Sequence, residues 1–278
     1  RLGGYNYVFL TFNTFDAATD KPNPLFGNRE LRRALTMLLD RPLLVRSVFD
    51  TLGRIGLGPF VRAQWSADTT ITQIGFDREK GGRVLDSLGW RAGSDGVRAR
   101  NGRRLEFSLL VPPSPARQRM SVLIQEQLRL AGVAVKIEKL DGNAMSDRAG
   151  KHAFDALMGG WTATPSPAGI NQTWTTAAAQ GGGLNWGRYE NPRFDALVDS
   201  AMIARSKASA MAHYRMAYQL MVDDAPVIWL YEAPALAASN ARLHTGVMRA
   251  DAWWTGILGW TVTPGRQAPR DSAPAKSP

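Results

Sequence analysis

The 278-residue sequence contains no cysteine and only three histidines, His152, His213 and His244. The lack of cysteine excludes disulfides, thiolate metal sites and cysteine nucleophiles together. No histidine stands four residues from another, so the spacing of a helical zinc site is also missing. We therefore expect neither a metal nor another cofactor.

Long apolar runs and common catalytic motifs are missing too. The densest apolar runs, residues 7–12 and 227–231, have the length of strands, so we expect no membrane-spanning helix. A phosphate-binding Gly-x-x-x-x-Gly-Lys loop and a Gly-x-Ser-x-Gly nucleophile turn do not occur. Asp223 and Asp224, adjacent near a helix end, fit a solvated surface better than a catalytic pair. The sequence gives no support for an enzyme.

Positive charge is in excess, with a formal net charge of +10. This balance first suggests a polyanionic partner. Residues 29–104 hold 15 Lys and Arg against 8 Asp and Glu, interleaved along the sequence, which is typical of a solvated surface. A basic module that binds nucleic acid or another polyanion remains the alternative to the function described below.

Several helices are predicted from apolar periodicity and capping residues. Asn28 precedes apolar residues at helical spacing from Leu31 to Leu39, and Asp40-Arg41-Pro42 opens a second helix. Asp77 opens a third helix that ends near Gly89. Asn191-Pro192 opens a further helix. A last helix follows, with Met211, Tyr214, Tyr218 and Met221 at helical spacing.

A strand-helix-strand unit is predicted in the middle of the chain. Alternating apolar residues run from Leu105 to Val111, Ser114-Pro115 opens a helix, and a second alternating strand follows Gly132. Such a unit joins parallel strands through a right-handed crossover. Before it, Asp95-Gly96 and Asn101-Gly102 predict two hairpin turns.

A stretch of 32 residues, 156–187, contains no charged residue and no histidine. It carries Trp161, Trp174 and Trp186 among small and neutral polar residues such as Asn185. Long loops of this kind are commonly functional, and aromatic walls with neutral hydrogen-bonding groups are typical of small-molecule sites. We therefore predict that Trp161, Trp174, Asn185 and Trp186 contact a ligand.

Taken in order, several motifs resemble those of the family 5 extracellular solute-binding proteins, the oligopeptide-, dipeptide- and nickel-binding subunits of ABC importers. The matching segments are Asn28-Arg-Glu-Leu-Arg-Arg-Ala-Leu-Thr-Met-Leu-Leu-Asp-Arg41, Gly75-Phe-Asp77 to Leu88-Gly-Trp90, Asp95-Gly96 to Asn101-Gly102, Phe154-Asp-Ala to Gly160-Trp161, Asn185 to Val198, and Asp224-Ala-Pro-Val-Ile-Trp-Leu-Tyr231. The resemblance covers about residues 5–262.

The resemblance implies an α/β fold of the periplasmic binding protein type II class, with a mixed β-sheet flanked by helices. It covers only the C-terminal half of such a protein, and the chain begins at Arg1 without a signal peptide, so we expect a piece of a longer protein. The implied organisation is a first-lobe strand and hinge at 1–16, the second, ligand-binding lobe at 17–230, a return segment at 231–262 and a disordered tail at 263–278. Hinge residues would be Phe12, Asn13, Leu230 and Tyr231.

The resemblance also implies which residues face the ligand. In relatives, two turns face the cleft between the lobes, and they correspond here to Gly160, Trp161, Thr162 and Thr164, and to residues 113–117 with Ser114 and Arg117. Arg117, in a first helical turn, is suited to a carboxylate. Peptide-binding relatives usually place an aspartate shortly after this tryptophan to hold an amine. Residues 161–167 contain no acid, which argues against an ordinary dipeptide.

The implied function is that of the substrate-binding component of an ABC transporter, which captures a peptide or another small solute for import. Its partners would be the ligand and the permease subunits in the membrane, and we expect a periplasmic or extracytoplasmic monomer that binds no nucleic acid. Tryptophan-lined sites also suit carbohydrate-active enzymes, but the paired carboxylates that those need are not evident.

Overall fold

The computed structural model describes residues 2–266, which fold into thirteen strands and eight α-helices. The strands are β1 Leu2–Phe12, β2 Phe15–Asp16, β3 Lys21–Pro22, β4 Arg54–Ile55, β5 Arg91–Ala92, β6 Arg98–Arg100, β7 Arg103–Arg104, β8 Glu106–Val111, β9 Ala134–Lys139, β10 Ala156–Thr162, β11 Val227–Ala235, β12 Leu243–His244 and β13 Thr261–Val262. The α-helices are α1 Arg29–Met37, α2 Arg41–Phe49, α3 Arg78–Ser87, α4 Pro115–Arg129, α5 Gly142–Gly150, α6 Ile170–Trp174, α7 Pro192–Met202 and α8 Lys207–Asp224. Short 3₁₀ segments lie at Asp50–Leu52, Pro167–Gly169, Thr176–Ala179 and Trp253–Gly259.

A six-stranded mixed sheet, in the order β4-β11-β1-β10-β8-β9, lies at the centre of this range. β1 runs antiparallel to both neighbours, β10 and β11, whereas β8 is parallel to β10 and to β9. The predicted mixed sheet with flanking helices is therefore confirmed.

Apolar side chains cover both faces of the sheet, because successive residues of a strand point to opposite faces. On β1, Val8 and Leu10 pack in one core with the apolar sides of α1 to α4. Tyr7 and Phe9 point to the other face and pack in a second core with α7 and α8. The sheet is thus the middle layer of three.

Most helices begin where capping residues predict. The side chains of Asn28, Asp40, Asp77 and Asn191 each accept a backbone N–H from the first turn of α1, α2, α3 and α7. A cap of this kind satisfies a donor that the helix itself cannot pair. Among the described helices, none has the length and apolar character needed to cross a bilayer.

The predicted strand-helix-strand unit is confirmed as β8, α4 and β9. Its strands pair in parallel from Glu106 and Ala134 to Val111 and Lys139. Because β10 is parallel to β8, the turn from β8 into α4 and the end of β10 lie at the same edge of the sheet. The two predicted hairpin turns are also present, in the small sheet β5-β6-β7.

The predicted first strand is present as β1 and lies inside the central sheet. β1 pairs with β10 from Asn6 and Thr162 to Phe12 and Ala156, and with β11 on its other side. Residues 2–12 therefore lie in the same sheet as β8 to β10. The predicted boundary between 230 and 231 likewise falls inside β11, whose pairing with β1 reaches Ala235 opposite Leu2.

The return segment leaves the main sheet after β11. It forms the two-stranded sheet of β12 and β13, with the Trp253–Gly259 turn between them. Trp253, Trp254 and Leu258 of this turn are exposed. Most of the predicted disordered tail, residues 267–278, lies outside the described residues.

Candidate functional site

A cavity of about 480 Å³ lies at the sheet edge where β8 turns into α4 and where β10 ends. It brings together five of the residues predicted to contact a ligand: Ser114, Arg117, Gly160, Trp161 and Thr162. The remaining walls come from β1, β11 and the turn before α4, through Asn6, Tyr7, Val8, Pro112, Pro113, Tyr231 and Ala233.

Arg117 is the cation of this cavity. It lies in the first turn of α4, and its guanidinium reaches across to Gly160 on β10, where an added Cβ would lie 2.4 Å from Nη2. Burial raises the pKa of the Tyr231 hydroxyl, and the neighbouring Arg117 opposes that rise. Among the described residues no carboxylate forms an ion pair with Arg117, so its charge is available to an anionic group.

Neutral hydrogen-bonding groups surround Arg117. Ser114, which lines the cavity, occupies the N-cap position of α4, and its side chain makes no capping hydrogen bond. The Thr162 hydroxyl donates to Asn6 Oδ1 at 2.5 Å across β10 and β1. These groups are suited to the amide or hydroxyl groups of a ligand.

Trp161 lines the cavity, whereas Trp186, also predicted to contact a ligand, does not line it and packs against the Trp161 ring. The rings of Trp161 and Trp186 lie 4.4 Å apart between centroids and are tilted by 52°. Trp186 is held in place through its backbone, because its carbonyl oxygen lies 2.7 Å from His152 Nδ1. His152 Nε2 lies 3.1 Å from the carbonyl oxygen of Ala179. The imidazole therefore contacts the backbone at both ends of the segment from Ala179 to Trp186.

Two predicted ligand contacts are corrected by their burial. Trp174 is 2% exposed, packs against Phe9 and Trp229, and donates from Nε1 to the Tyr7 hydroxyl at 3.3 Å. Asn185 is 0% exposed; its Nδ2 donates to the carbonyl oxygens of Thr175 and Tyr189. Both side chains are therefore part of the fold and present no surface to a ligand.

Thr164 also lies apart from the cavity. It is exposed, its hydroxyl donates to the carbonyl oxygen of Ser166, and its own carbonyl oxygen accepts from Gln64 Nε2. The uncharged stretch is more ordered than a loop, since it contains β10, α6 and two 3₁₀ turns. This order explains how it buries Trp174 while leaving Trp161 at the cavity.

The predicted hinge residues lie in different places. Phe12 ends β1, and Asn13 hydrogen-bonds to the carbonyl oxygens of His152 and Phe154. Phe12 lies four positions along β1 from Val8, which lines the cavity, a distance of about 13 Å. Leu230 is buried in the core, whereas Tyr231 lines the cavity.

Sequence reasoning missed the part that β1 and β11 play in the cavity. The sequence predicts only a strand for Asn6, Tyr7 and Val8, and a return segment for Ala233. The polar Asn6 within an otherwise apolar strand was the one local signal. Pairing of β1 with β10, which carries Asn6 to Thr162, is what places it there.

Comparisons with known proteins agree with this architecture. Residues 3–182 match the sequence profile of the bacterial extracellular solute-binding proteins, family 5. The oligopeptide-binding protein AppA of Bacillus subtilis is 26% identical over 232 residues, which cover 81% of this chain and 41% of that protein. The probable D,D-dipeptide-binding periplasmic protein DdpA of Escherichia coli is 26% identical, with 77% and 40% covered.

Solved structures show the same fold. The structure of AppA from Bacillus subtilis in complex with a nonapeptide superposes with a TM-score of 0.80 at 23% identity, covering 95% of this chain and 51% of that one. NikZ from Campylobacter jejuni in complex with Ni(L-His) gives a TM-score of 0.78 at 18% identity, covering 94% and 52%. This chain thus spans about half of these proteins, or somewhat less. It belongs to the family 5 bacterial extracellular solute-binding proteins.

Proposed function

We propose that this chain is the ligand-gripping lobe of the substrate-binding component of an ABC importer. In this role it forms one wall of a cleft that captures a peptide or another small solute, and a second lobe closes over the ligand. Recognition is by binding alone, with no covalent step and no cofactor.

The cavity beside Arg117 is the observation that carries the proposal. It combines a guanidinium that forms no ion pair within the described residues, a serine side chain that makes no capping hydrogen bond, a threonine-asparagine pair and the ring of Trp161 at one edge of the sheet. Few but well-placed polar groups beside an aromatic surface are what a small-molecule site requires. Membership in a family of solute-binding proteins agrees with this reading.

The positive charge does not favour the nucleic-acid alternative. Several arginines of the basic region pair with acids, as in Arg98 with Asp86, Arg104 with Asp95 and Arg29 with Asp224. Arg32 and Arg41 are buried and donate to backbone carbonyl oxygens. Charge that is paired or buried contributes little to a polyanion-binding surface.

The proposed partners follow from this role. They are a peptide or other small solute and the permease subunits in the membrane, which a monomeric receptor meets on the periplasmic or extracytoplasmic side. Association with the membrane is then through the permease.

A thermal-shift screen of peptides, sugars and opines against the full-length protein that carries this chain tests the proposal. We expect at least one of these classes to raise the Tm, because a ligand that binds only the folded state stabilises it. Titration calorimetry then gives the affinity. Stabilisation by none of them, together with tight DNA binding that weakens with salt, would overturn the proposal.

A further inference from the structure

Within the described residues, the cavity is lined by one charged side chain, which is a cation. Arg117 is the only Lys, Arg, Asp or Glu among the described residues that line it. The guanidinium has no ion-pair partner within residues 2–266, whereas arginines nearby in sequence do, such as Arg104 and Arg129. This lobe therefore offers a ligand one positive charge and no negative charge.

The acid nearest in sequence to a lining residue is Glu232, which is not available to a ligand. It stands between the lining residues Tyr231 and Ala233 on β11, but its side chain points to the opposite face of the sheet. There it is 6% exposed and forms an ion pair with Arg62 Nη1 at 2.7 Å. Burial raises the pKa of the Glu232 carboxyl, and Arg62 opposes that rise. Glu232 is thus committed to Arg62.

The rest of the lining is neutral. Ser114, Asn6 and Thr162 can exchange hydrogen bonds with amide groups, and Trp161 provides an apolar surface. An ammonium group placed against this wall loses hydration and gains no counter-charge from this lobe, which is costly. A carboxylate beside Arg117 gains a charge-assisted hydrogen bond instead.

We propose that the ligand is an N-blocked peptide or N-acylated amino acid, whose carboxylate pairs with Arg117 and whose blocked end carries no positive charge. This inference rests on the proposed function and narrows its ligand class. The amide that replaces the free amine then lies against the neutral groups of Asn6 and Thr162.

Four versions of one random tripeptide pool test the inference: free, N-acetylated, C-amidated, and blocked at both ends. Native mass spectrometry of the full-length protein that carries this chain measures how much of each pool is bound. We expect acetylation to leave binding within about threefold or to improve it, and amidation to lower it about tenfold or more. Binding only by pools with a free amine, or equal binding of amidated pools, would overturn the inference.

Those failures leave the proposed function intact, because a peptide is still bound. If none of the four pools binds, the inference is wrong, and the outcome of the thermal-shift screen with sugars and opines decides separately whether the proposed function also fails. The two results are therefore distinguishable.

A matched pair of variants ties the preference to the assigned residue. Arg117→Gln should reduce the ratio of affinities for free and amidated carboxyl ends to about one. Arg119→Gln removes an exposed cation two residues along the same helix and should leave that ratio unchanged. Equal ratios in both variants would contradict the role of Arg117, whatever the effect of either variant on stability.

Discussion

The guanidinium of Arg117 occupies the space that a side chain at Gly160 would need. An ideal Cβ on Gly160 would lie 2.4 Å from Arg117 Nη2 and 3.1 Å from the carbonyl oxygen of Tyr7. The missing side chain on β10 is therefore what allows a residue of α4 to extend over the sheet into the cavity. The proposed binding of an anionic group depends on this arrangement.

Gly160→Ala should weaken ligand binding by about tenfold or more, because the guanidinium must move away from its position in the cavity. Stability should change little, since the nearest obstructing atom is the end of a flexible side chain and the Tyr7 carbonyl oxygen needs to move by only a few tenths of an ångström. Titration calorimetry with the ligand identified by the screen measures the loss. Gly142→Ala is the control, as an added Cβ there meets no atom within 4 Å. Unchanged affinity in Gly160→Ala would contradict the placement of Arg117.

Trp174→Ala should lower the free energy of unfolding by about 3–5 kcal/mol, because it removes a buried ring from the core and leaves a cavity. The ring packs edge-on against Phe9 and Trp229, at centroid distances of 5.1 Å and 5.4 Å. Urea unfolding followed by circular dichroism measures the change.

Trp254→Ala is the matched control for Trp174→Ala, since Trp254 is 54% exposed. It should alter the same free energy by about 0.5 kcal/mol or less. Similar losses in both variants would show that Trp174 does not have the core role that its burial indicates.

His152→Asn should loosen the segment that carries Trp186, because the ring that contacts the carbonyl oxygens of Ala179 and Trp186 is removed. Asparagine tolerates the positive φ of 51° at this position. Amide hydrogen exchange over residues 177–187 should be about tenfold faster, as expected for the loss of one or two hydrogen bonds. His213→Asn serves as the control and should leave that segment unchanged. Equal exchange in His152→Asn and the unmodified chain would show that the segment is held by other contacts.

Asp86→Asn should lower the Tm at pH 7, and the difference from the unmodified chain should disappear in acid. The hydrogen bond from Arg98 holds the pKa of the Asp86 carboxyl below its usual range. Its charged form therefore stabilises the folded chain above the unfolded pKa of about 3.9, and this contribution is lost as the pH falls through the lower folded value. Thermal unfolding at pH 7 and below pH 3 measures both limits of the change.

Asp199→Asn is the control for the pH experiment, because Asp199 is exposed and forms no ion pair within the described residues. Its Tm should follow that of the unmodified chain across the same range. A Tm difference for Asp86→Asn that persists in acid would assign the effect to packing and not to charge.

Local features of the fold could be predicted because they depend on neighbouring residues. A cap acts within one helical turn, as Asn28 and Asp77 do at the starts of α1 and α3. A turn glycine acts within one hairpin, as Gly96 and Gly102 do. The partners of β1 could not be predicted in this way, since β10 and β11 lie more than 140 residues away. The local pattern identifies a strand but not its neighbours.

The candidate site likewise has residues that the local sequence identifies and residues that it misplaces. Ser114, Arg117, Gly160, Trp161 and Thr162 lie beside recognisable strand ends and a helix start, and they meet in the cavity. Trp174 and Asn185 lie in the same uncharged stretch and share its composition, yet they are buried. Absence of charge suits a core as well as a ligand wall, and only the tertiary packing decides between them.

The pairing of Leu2 with Ala235 at one end of β1 and β11 has a consequence for protein engineering. Directly paired residues of antiparallel strands lie about 5 Å apart, so residues 2–235 enter and leave the lobe at neighbouring points. A segment with adjacent ends can be inserted into a surface loop of an unrelated host without stretching either chain. Residues 2–235 are therefore suited to insertion into another protein as one continuous segment, with the cavity beside the two junctions.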